Sequence, residues 1–231
     1  MKRYKHLFFD LDHTLWDFRS NSRGTLCELF EEEALQERGI PDAEAFIGSY
    51  EEVNEGLWGR YEAGHLSKEV LRVLRFRNAL LRFGVKDAAL ADRMGTAYLD
   101  RCPTKPALMP GTMALLDDLL PHYQLHIITN GFEEVQAVKI KSSGIDPYFS
   151  TVISSEKAGA KKPDPRIFGH ALKLCTACAD DALMIGDNLI ADMLGARRAG
   201  WDHVHFAAEC EPDAEATYTI RHMDELRPIL L

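Results

Sequence analysis

The sequence predicts an α/β protein in which a Rossmann-like parallel sheet, with helices on both faces, carries an inserted all-helical cap domain. Short, almost continuous apolar runs recur along the chain, as is typical of parallel strands covered on both faces. From about residue 107 these runs alternate with helical stretches, which is the α/β pattern. Between the first run and the second, the chain instead has helical periodicity and no strand pattern.

Five apolar runs are predicted strands, and helices are predicted between the later ones. One helix ends before Pro121 and another at Gly144, because proline and glycine frequently stop helices. The predicted strands are residues 7–9, 125–128, 151–153, 182–185 and 203–206. The predicted helices are residues 112–120, residues 132–143 and the stretch with Ile190, Met193 and Leu194 at helical spacing.

The long stretch after the first strand is predicted to be a helical insertion into the α/β core. Ser67 is a candidate helix N-cap, with Glu69 in the first turn. Prolines between residues 103 and 110 mark the return to the core. The chain then divides into a core of residues 1–16 and 105–231 and a cap of residues 17–104. The apolar positions that indicate its helices are Leu26, Leu29, Phe30 and Ala34, then Val70, Val73, Leu74 and Leu81.

The charge balance excludes several classes of protein. The 231 residues include 27 Lys and Arg against 36 Asp and Glu, a formal net charge of −9. A protein that binds nucleic-acid polymers or membrane surfaces would instead present a basic face. No apolar run approaches the roughly 20 residues that span a bilayer, and Asp10 follows the basic start too soon for a signal peptide. Five cysteines at scattered spacings are expected to be free thiols in a reducing cytoplasm.

Four groups of polar residues stand at or just after the ends of predicted strands. The carboxyl ends of parallel strands form the ligand crevice of an open sheet, so these groups are expected to meet there. Together they supply four carboxylates, at least one lysine, a hydroxyl and an amide. The groups are Asp10-Leu11-Asp12-His13-Thr14, Thr129-Asn130-Gly131, Lys161-Lys162-Pro163, and Gly186-Asp187-Asn188 with Asp192.

This cluster of carboxylates predicts a metal-assisted reaction of phosphate esters. Negative charge in a partly desolvated crevice requires a compensating cation, and oxygen ligands favour Mg²⁺ together with a substrate phosphate. One carboxylate can attack phosphorus, and a second, two residues on, can protonate the leaving oxygen and then deprotonate water. Thr129 and Asn130 can hold the phosphoryl oxygens, whereas His13 is expected to point elsewhere. The residues therefore predict a Mg²⁺-dependent phosphomonoester hydrolase with an aspartyl-phosphate intermediate.

The four groups resemble the four motifs of the haloacid dehalogenase (HAD) superfamily, in order and over the whole chain. The insertion resembles the helical cap of that superfamily's first subclass. The resemblance implies that Asp10 is the nucleophile and a metal ligand. It also implies that Asp12 is the general acid and base, with its backbone carbonyl on the metal. The remaining expected roles are phosphate binding by Thr129, Asn130 and Lys162, a metal ligand at Asp187, and support of the site by Asp192 and Asn188.

Residues 54–64 in the cap, and Thr129-Asn130-Gly131-Phe132, resemble bacterial pyrimidine-nucleotide 5′-phosphatases more specifically. This resemblance implies a small phosphorylated partner, a pyrimidine nucleoside monophosphate. The predicted base contacts are Asn54 by hydrogen bonding, with Trp58, Tyr61 and Phe132 by stacking. Core packing is the alternative for each of these aromatic side chains, and for Trp16 and Phe18.

Other interpretations stay open. The substrate could be a small sugar phosphate or a phosphoglycolate-like metabolite. A 2-haloacid dehalogenase is less consistent with the sequence, because superfamily dehalogenases lack the second aspartate, here Asp12. A catalytically silent binding module is disfavoured by the intact motifs. Lys161 competes with Lys162 for the phosphate, and Cys175-x-x-Cys178 has no second pair and is interpreted as structural.

Overall fold

The fold is a parallel sheet with helices, as predicted. The computed structural model describes residues 4–208 and 210–231. The strands are β1 (His6–Phe9), β2 (Gln124–Thr129), β3 (Phe149–Ser154), β4 (Ala182–Gly186), β5 (Asp202–Phe206) and β6 (Tyr218–Ile220). Over the described residues they form one six-stranded sheet in the order β3-β2-β1-β4-β5-β6, with every neighbouring pair parallel.

The chain divides into two compact units, one formed by residues up to Phe18 together with Pro106–Leu231, and the other by Arg19–Lys105. The sequence places these boundaries at residues 16/17 and 104/105. The α-helices up to Arg101 are α1 (Phe18–Glu32), α2 (Ala43–Glu62), α3 (Lys68–Leu81) and α4 (Ala88–Arg101). Those that follow are α5 (Thr112–Leu119), α6 (Glu133–Ser142), α7 (Ser155–Ala158), α8 (Pro165–Cys175), α9 (Gly195–Arg198) and α10 (Arg227–Leu230).

The sheet is buried on both faces, which explains its almost continuous apolar strands. Phe8 lies opposite Met184 on the neighbouring strand, and both belong to a core cluster that includes Phe168 of α8 and Trp201. The adjacent residues on these strands point to the other face and are also fully buried. Strand β6 was not predicted, because a three-residue run at the sheet edge is too short to produce a recognisable pattern.

Helices α2, α3 and α4 begin at clear N-caps and pack around aromatic rings. Ser67 caps α3 as predicted, with its hydroxyl accepting the Val70 N–H at 3.4 Å. The rings of Tyr50 (α2), Phe76 (α3) and Tyr98 (α4) lie 4.8–5.5 Å from one another. These three side chains are buried and form the centre of the unit.

The prediction for α3 was right about the helix but wrong about its buried face. Val70 and Val73 are 43% and 47% exposed. The buried positions include Arg75, whose guanidinium lies over the Tyr98 ring at 4.8 Å. A charged residue on the buried face conceals the apolar stripe, because such residues are seldom buried.

Across the described residues, no helix combines the length and the apolarity needed to cross a bilayer.

Two histidines are stacked within the α/β unit. His6 Nδ1 lies 3.1 Å from His126 Nε2, and their rings are stacked with centroids 5.4 Å apart. The other ring nitrogen of His126 lies 3.5 Å from the Cys175 sulfur. Burial lowers the pKa of His126 to about 4, with a smaller contribution from His6. The folded protein therefore keeps His126 neutral over a range in which the unfolded chain binds a proton.

This difference predicts that stability falls in mild acid. Between about pH 6.5 and pH 4 the unfolded state binds one proton more at His126, so the free energy of unfolding decreases as the pH falls, by up to about 3 kcal/mol. Replacing His126→Gln is expected to flatten this part of the stability curve, measured by urea unfolding at a series of pH values. Replacing the exposed His122→Gln is the control. Equal slopes for wild type and His126→Gln would contradict the prediction.

Candidate functional site

Neighbouring strand ends bring the predicted site residues together. Strand β1 lies between β2 and β4, and its last residue, Phe9, is level with Ile127 and Ile185. The Asp10 N–H extends this ladder by donating to the Ile185 carbonyl at 2.8 Å. Asp10 therefore leaves the sheet at the same edge as the segments that follow β2 and β4.

Lys162 lies at the centre of the site and is 2% exposed. Its ammonium donates to Asp10 Oδ1 at 2.7 Å, to Asp192 Oδ1 at 2.6 Å and to the Ile128 carbonyl at 2.8 Å. Burial alone would lower the pKa of Lys162, but the charges of Asp10 and Asp192 outweigh it and raise the pKa. The geometry thus favours Lys162 over Lys161 as the lysine of the site.

The Asn130 side chain is bonded to the backbone of Lys162. Its Nδ2 donates to the Lys162 carbonyl at 2.9 Å, and its Oδ1 accepts the Lys162 N–H at 2.8 Å. Both ends of the amide are therefore bonded to backbone, and the side chain holds the Lys162 segment in place. The phosphate contact expected of Asn130 stays a prediction.

Three carboxylates converge beside Lys162. One oxygen each of Asp10, Asp187 and Asp192 lie within 4.8 Å of one another. Burial raises the pKa of Asp10 to about 7, against the opposing charge of Lys162. Burial, with the charge of Asp10, raises the pKa of Asp187 to about 6. A single lysine therefore leaves negative charge in the cluster that a divalent cation would neutralise.

Close packing fixes the segment after β4. A Cβ atom on Gly186 would lie 2.3 Å from Asp192 Oδ2, so only glycine allows the fully buried Asp192 carboxylate to approach. Asn188 bonds this segment to itself: its Oδ1 accepts from the N–H groups of Ile190 and Ala191, and its own N–H donates to Asp192 Oδ2 at 3.1 Å. Asn188 and Asp192 are thus bonded to each other, and Asp192 also belongs to the carboxylate cluster.

Two further contacts hold Asp187. The Thr14 hydroxyl donates to Asp187 Oδ1 at 2.8 Å. Nδ1 of the buried His205 accepts the Asp213 N–H at 3.0 Å, so Nε2 carries the ring proton and is the donor to the Asp187 carbonyl, at 3.2 Å. Sequence analysis did not identify His205, because it lies inside an apolar strand well beyond the last motif.

Asp12 lies outside the carboxylate cluster and has its own partners. Lys139 Nζ donates to Asp12 Oδ1 at 2.6 Å and Gln136 Nε2 to Asp12 Oδ2 at 2.9 Å. Burial would raise the pKa of Asp12, but the charge and hydrogen bond of Lys139, with the bond from Gln136, lower it. Sequence analysis missed both partners. The sequence signal for them was two polar residues three positions apart, and so on one side of a helix, in the helix that follows Thr129-Asn130.

The Thr129 hydroxyl is arranged as a donor. Its Oγ1 accepts from the Gly131 N–H at 3.0 Å and from Gln136 Nε2 at 2.8 Å. These two bonds use both lone pairs of the oxygen, so its remaining capacity is the O–H hydrogen. A donor at this edge of the sheet suits an anionic oxygen such as that of a phosphate.

The predicted base-contacting residues have mixed environments. Asn54, Trp58 and Tyr61 lie on α2, with Asn54 and Tyr61 buried and Trp58 half-buried. The Trp58 and Tyr61 rings meet edge to face at 5.4 Å. Phe132 is buried immediately before α6, in the α/β unit.

A family model described as haloacid dehalogenase-like hydrolase matches residues 4–200. The chain belongs to the haloacid dehalogenase superfamily. It is 32% identical to the pyrimidine 5′-nucleotidase PynA of Streptococcus pneumoniae, over 96% of this chain and 93% of that protein. It is 30% identical to the pyrimidine 5′-nucleotidase YjjG of Escherichia coli, over 99% of this chain and 98% of that protein.

A solved structure shows the same fold. YfnB of Bacillus subtilis, bound to magnesium, matches with a TM-score of 0.89 and 30% identity over 99% of both chains. With the superfamily and its named phosphatase relatives established, the protein is an enzyme, a HAD-like phosphatase.

The packing at Gly186 predicts a stability effect. Replacing Gly186→Ala forces the buried Asp192 carboxylate away from its partners, and overpacking of this kind costs about 1–3 kcal/mol. The free energy of unfolding in urea measures this loss. Gly169→Ala in α8 is the matched control: its Cβ would meet no heavy atom within 4 Å, and alanine stabilises a helix interior by about 0.5–1 kcal/mol over glycine. A Gly186→Ala protein as stable as wild type would show that the approach is not tight.

Proposed function

We propose that the protein is a Mg²⁺-dependent phosphomonoesterase that acts through an aspartyl-phosphate on pyrimidine nucleoside monophosphates. The observation that carries this proposal is the buried Asp10 carboxylate, bonded to Lys162 and grouped with Asp187 and Asp192. A carboxylate that attacks a phosphate dianion needs positive charge nearby, because the two anions repel each other. The five free cysteines support a reducing, cytoplasmic setting for this activity.

The donor set fits a hard divalent cation. The clustered atoms are carboxylate oxygens, which are the ligands that Mg²⁺ prefers. Asp10 and Asp187 would hold the ion, with the Asp12 carbonyl as the further ligand that the family resemblance implies. When bound, the ion would neutralise the cluster and polarise the phosphoryl oxygens.

The protein's own residues account for both halves of the reaction. An Asp10 oxygen attacks phosphorus and the bond to the leaving oxygen breaks. The negative charge of the bound phosphate opposes the lowering of the Asp12 pKa, so Asp12 takes a proton from solvent in the substrate complex and delivers it to the leaving oxygen. Asp12, now a carboxylate, takes a proton from a water molecule. That water attacks phosphorus and breaks the bond to Asp10, which releases inorganic phosphate. During both steps the Thr129 hydroxyl donates to a phosphoryl oxygen, and Lys162, which is bonded to Asp10, Asp192 and Ile128, contributes its positive charge.

The pyrimidine nucleotide substrate is supported by two observations. Two relatives that match nearly the whole chain are named pyrimidine 5′-nucleotidases. In addition, the buried Asn54 Oδ1 has no hydrogen-bond partner among the described residues, although buried amide oxygens are normally bonded. The imide N–H of uracil or thymine would satisfy such an acceptor, and Trp58 would stack on the ring.

A second substrate class is favoured by other relatives. A ribulose-1,5-bisphosphate 5-phosphatase of Halopiger xanaduensis is 30% identical over 90% of this chain and 87% of that protein. A small sugar phosphate is therefore the main alternative to a nucleotide.

The direct test is phosphate release from a panel of nucleoside monophosphates, sugar phosphates, phosphoglycolate and p-nitrophenyl phosphate. We expect pyrimidine nucleotides to give the highest kcat/KM, and excess EDTA to abolish turnover. The Asp10→Asn variant is expected to lose more than about 10³-fold in kcat, because an amide is a poor nucleophile, while its circular dichroism spectrum stays unchanged. Full activity with EDTA would refute the metal, and a preference for a sugar phosphate would refute the nucleotide assignment.

The role of Trp58 is tested by a change in selectivity. A stacked base is worth roughly 1–3 kcal/mol, so Trp58→Ala is expected to lower kcat/KM for UMP or dUMP by about tenfold or more, with little effect on p-nitrophenyl phosphate. The ratio of the two kcat/KM values is the measurement. Equal losses on both substrates would assign Trp58 to core packing.

A further inference from the structure

Helix α6 directs two buried polar side chains at the two oxygens of Asp12. Gln136 and Lys139 are 1% and 5% exposed, although both are long polar residues that usually lie at the surface. Three positions apart, they lie on the same side of the helix. Each donates to a different Asp12 oxygen, so the plane of the carboxylate is fixed at both ends.

Two aromatic rings and the Asp12 carboxylate surround the Lys139 ammonium and restrict its position. Its ammonium lies 4.5 Å from the centre of the fully buried Trp16 ring and 5.4 Å from that of Phe18, within cation–π range. The ion pair with Asp12 measures 2.6 Å. Removing both ions of such a pair from water is costly, and apolar residues of similar volume are often as stable. Stability alone therefore gives little reason for a lysine here.

The hydrogen bonds of Gln136 hold two site residues but leave its own amide oxygen unbonded among the described residues. Its Nε2 group donates one hydrogen to Asp12 Oδ2 and the other to Thr129 Oγ1, while its Oε1 is buried with no partner among the described residues. The reverse orientation of the amide would place an oxygen against a carboxylate, so this orientation is the chemically required one. Leaving a buried carbonyl unbonded is unfavourable.

The backbone leaves room for this side chain. A Cβ atom on Gly131 would lie 1.9 Å from Gln136 Nε2. The glycine that follows Thr129-Asn130 therefore allows Gln136 to reach Asp12 and Thr129 together. The Gly131 N–H is also bonded to Thr129.

We propose that Gln136 and Lys139 are positioning residues that hold the Asp12 carboxylate in the orientation from which it delivers its proton to the leaving oxygen. The proposal rests on the proposed function. Each Asp12 oxygen accepts one bond from α6 and keeps a lone pair, so the contacts orient the group and leave a lone pair on which it can carry the proton. The step itself is unchanged: the proton moves from Asp12 to the leaving oxygen as the phosphorus bond to that oxygen breaks.

Leaving groups of different basicity test this role. An alkoxide needs the proton, whereas p-nitrophenolate leaves readily without it. We expect Lys139→Met and Gln136→Met each to lower kcat/KM for the best alkyl phosphate of the panel by about 10²-fold, since general acid catalysis is worth about 10²–10⁴-fold. For p-nitrophenyl phosphate we expect losses below about fivefold. The ratio kcat/KM reports phosphoryl transfer to Asp10, the step in which Asp12 acts as the acid.

The exposed Lys141 on the same helix gives the matched control, Lys141→Met, which is expected to leave both substrates unchanged. Thermal melting identifies a variant that does not fold, and the other variant then carries the test. Equal losses on the two substrates in a folded variant would overturn the positioning role. A wild-type protein that hydrolyses neither ester would instead refute the proposed function, so the two failures are distinguishable.

Discussion

The buried ammonium of Lys162 is the contact on which the rest of the site depends. It bonds two carboxylates and the carbonyl of Ile128, and so joins the ends of β1 and β2 to the segment after β4. Without it, Asp10 and Asp192 would be adjacent buried anions, a cost that is several kcal/mol per ion. Asn130 then secures the backbone of Lys162 itself. The geometry of the carboxylates follows from this one positive charge.

Two aspartates only two residues apart are placed in opposite electrostatic environments. Burial raises the pKa of Asp10, whereas Lys139 and Gln136 reverse the effect of burial at Asp12 and lower its pKa. A different cation meets each side chain, Lys162 at Asp10 and Lys139 at Asp12. The two carboxyl groups therefore differ in pKa through their partners rather than through their own chemistry.

The sequence predicted the sheet and the catalytic motifs because both depend on local patterns. Apolar runs specify buried strands, and the ends of parallel strands must meet at one edge. Residues whose importance arises from tertiary contacts were harder to identify. His205 reads as part of an apolar strand, while Gln136 and Lys139 read as the polar face of an amphipathic helix. The α3 face was misassigned because Arg75 is buried through its aromatic neighbours. The bonds of Asn130 to Lys162 were not predicted because they span 32 residues, beyond any local pattern.

The segment Leu189–Leu194 is wound as a π-type helix, with the Met193 N–H reaching back five residues to Asn188. Such wider turns concentrate at functional sites. Because each residue of a regular helix advances about 100° around its axis, losing one residue here would rotate Asp192 away from Lys162. Exposed loops generally tolerate insertions and deletions, but a change of length between Asp187 and Asp192 would separate the two carboxylates from the lysine that they share the site with.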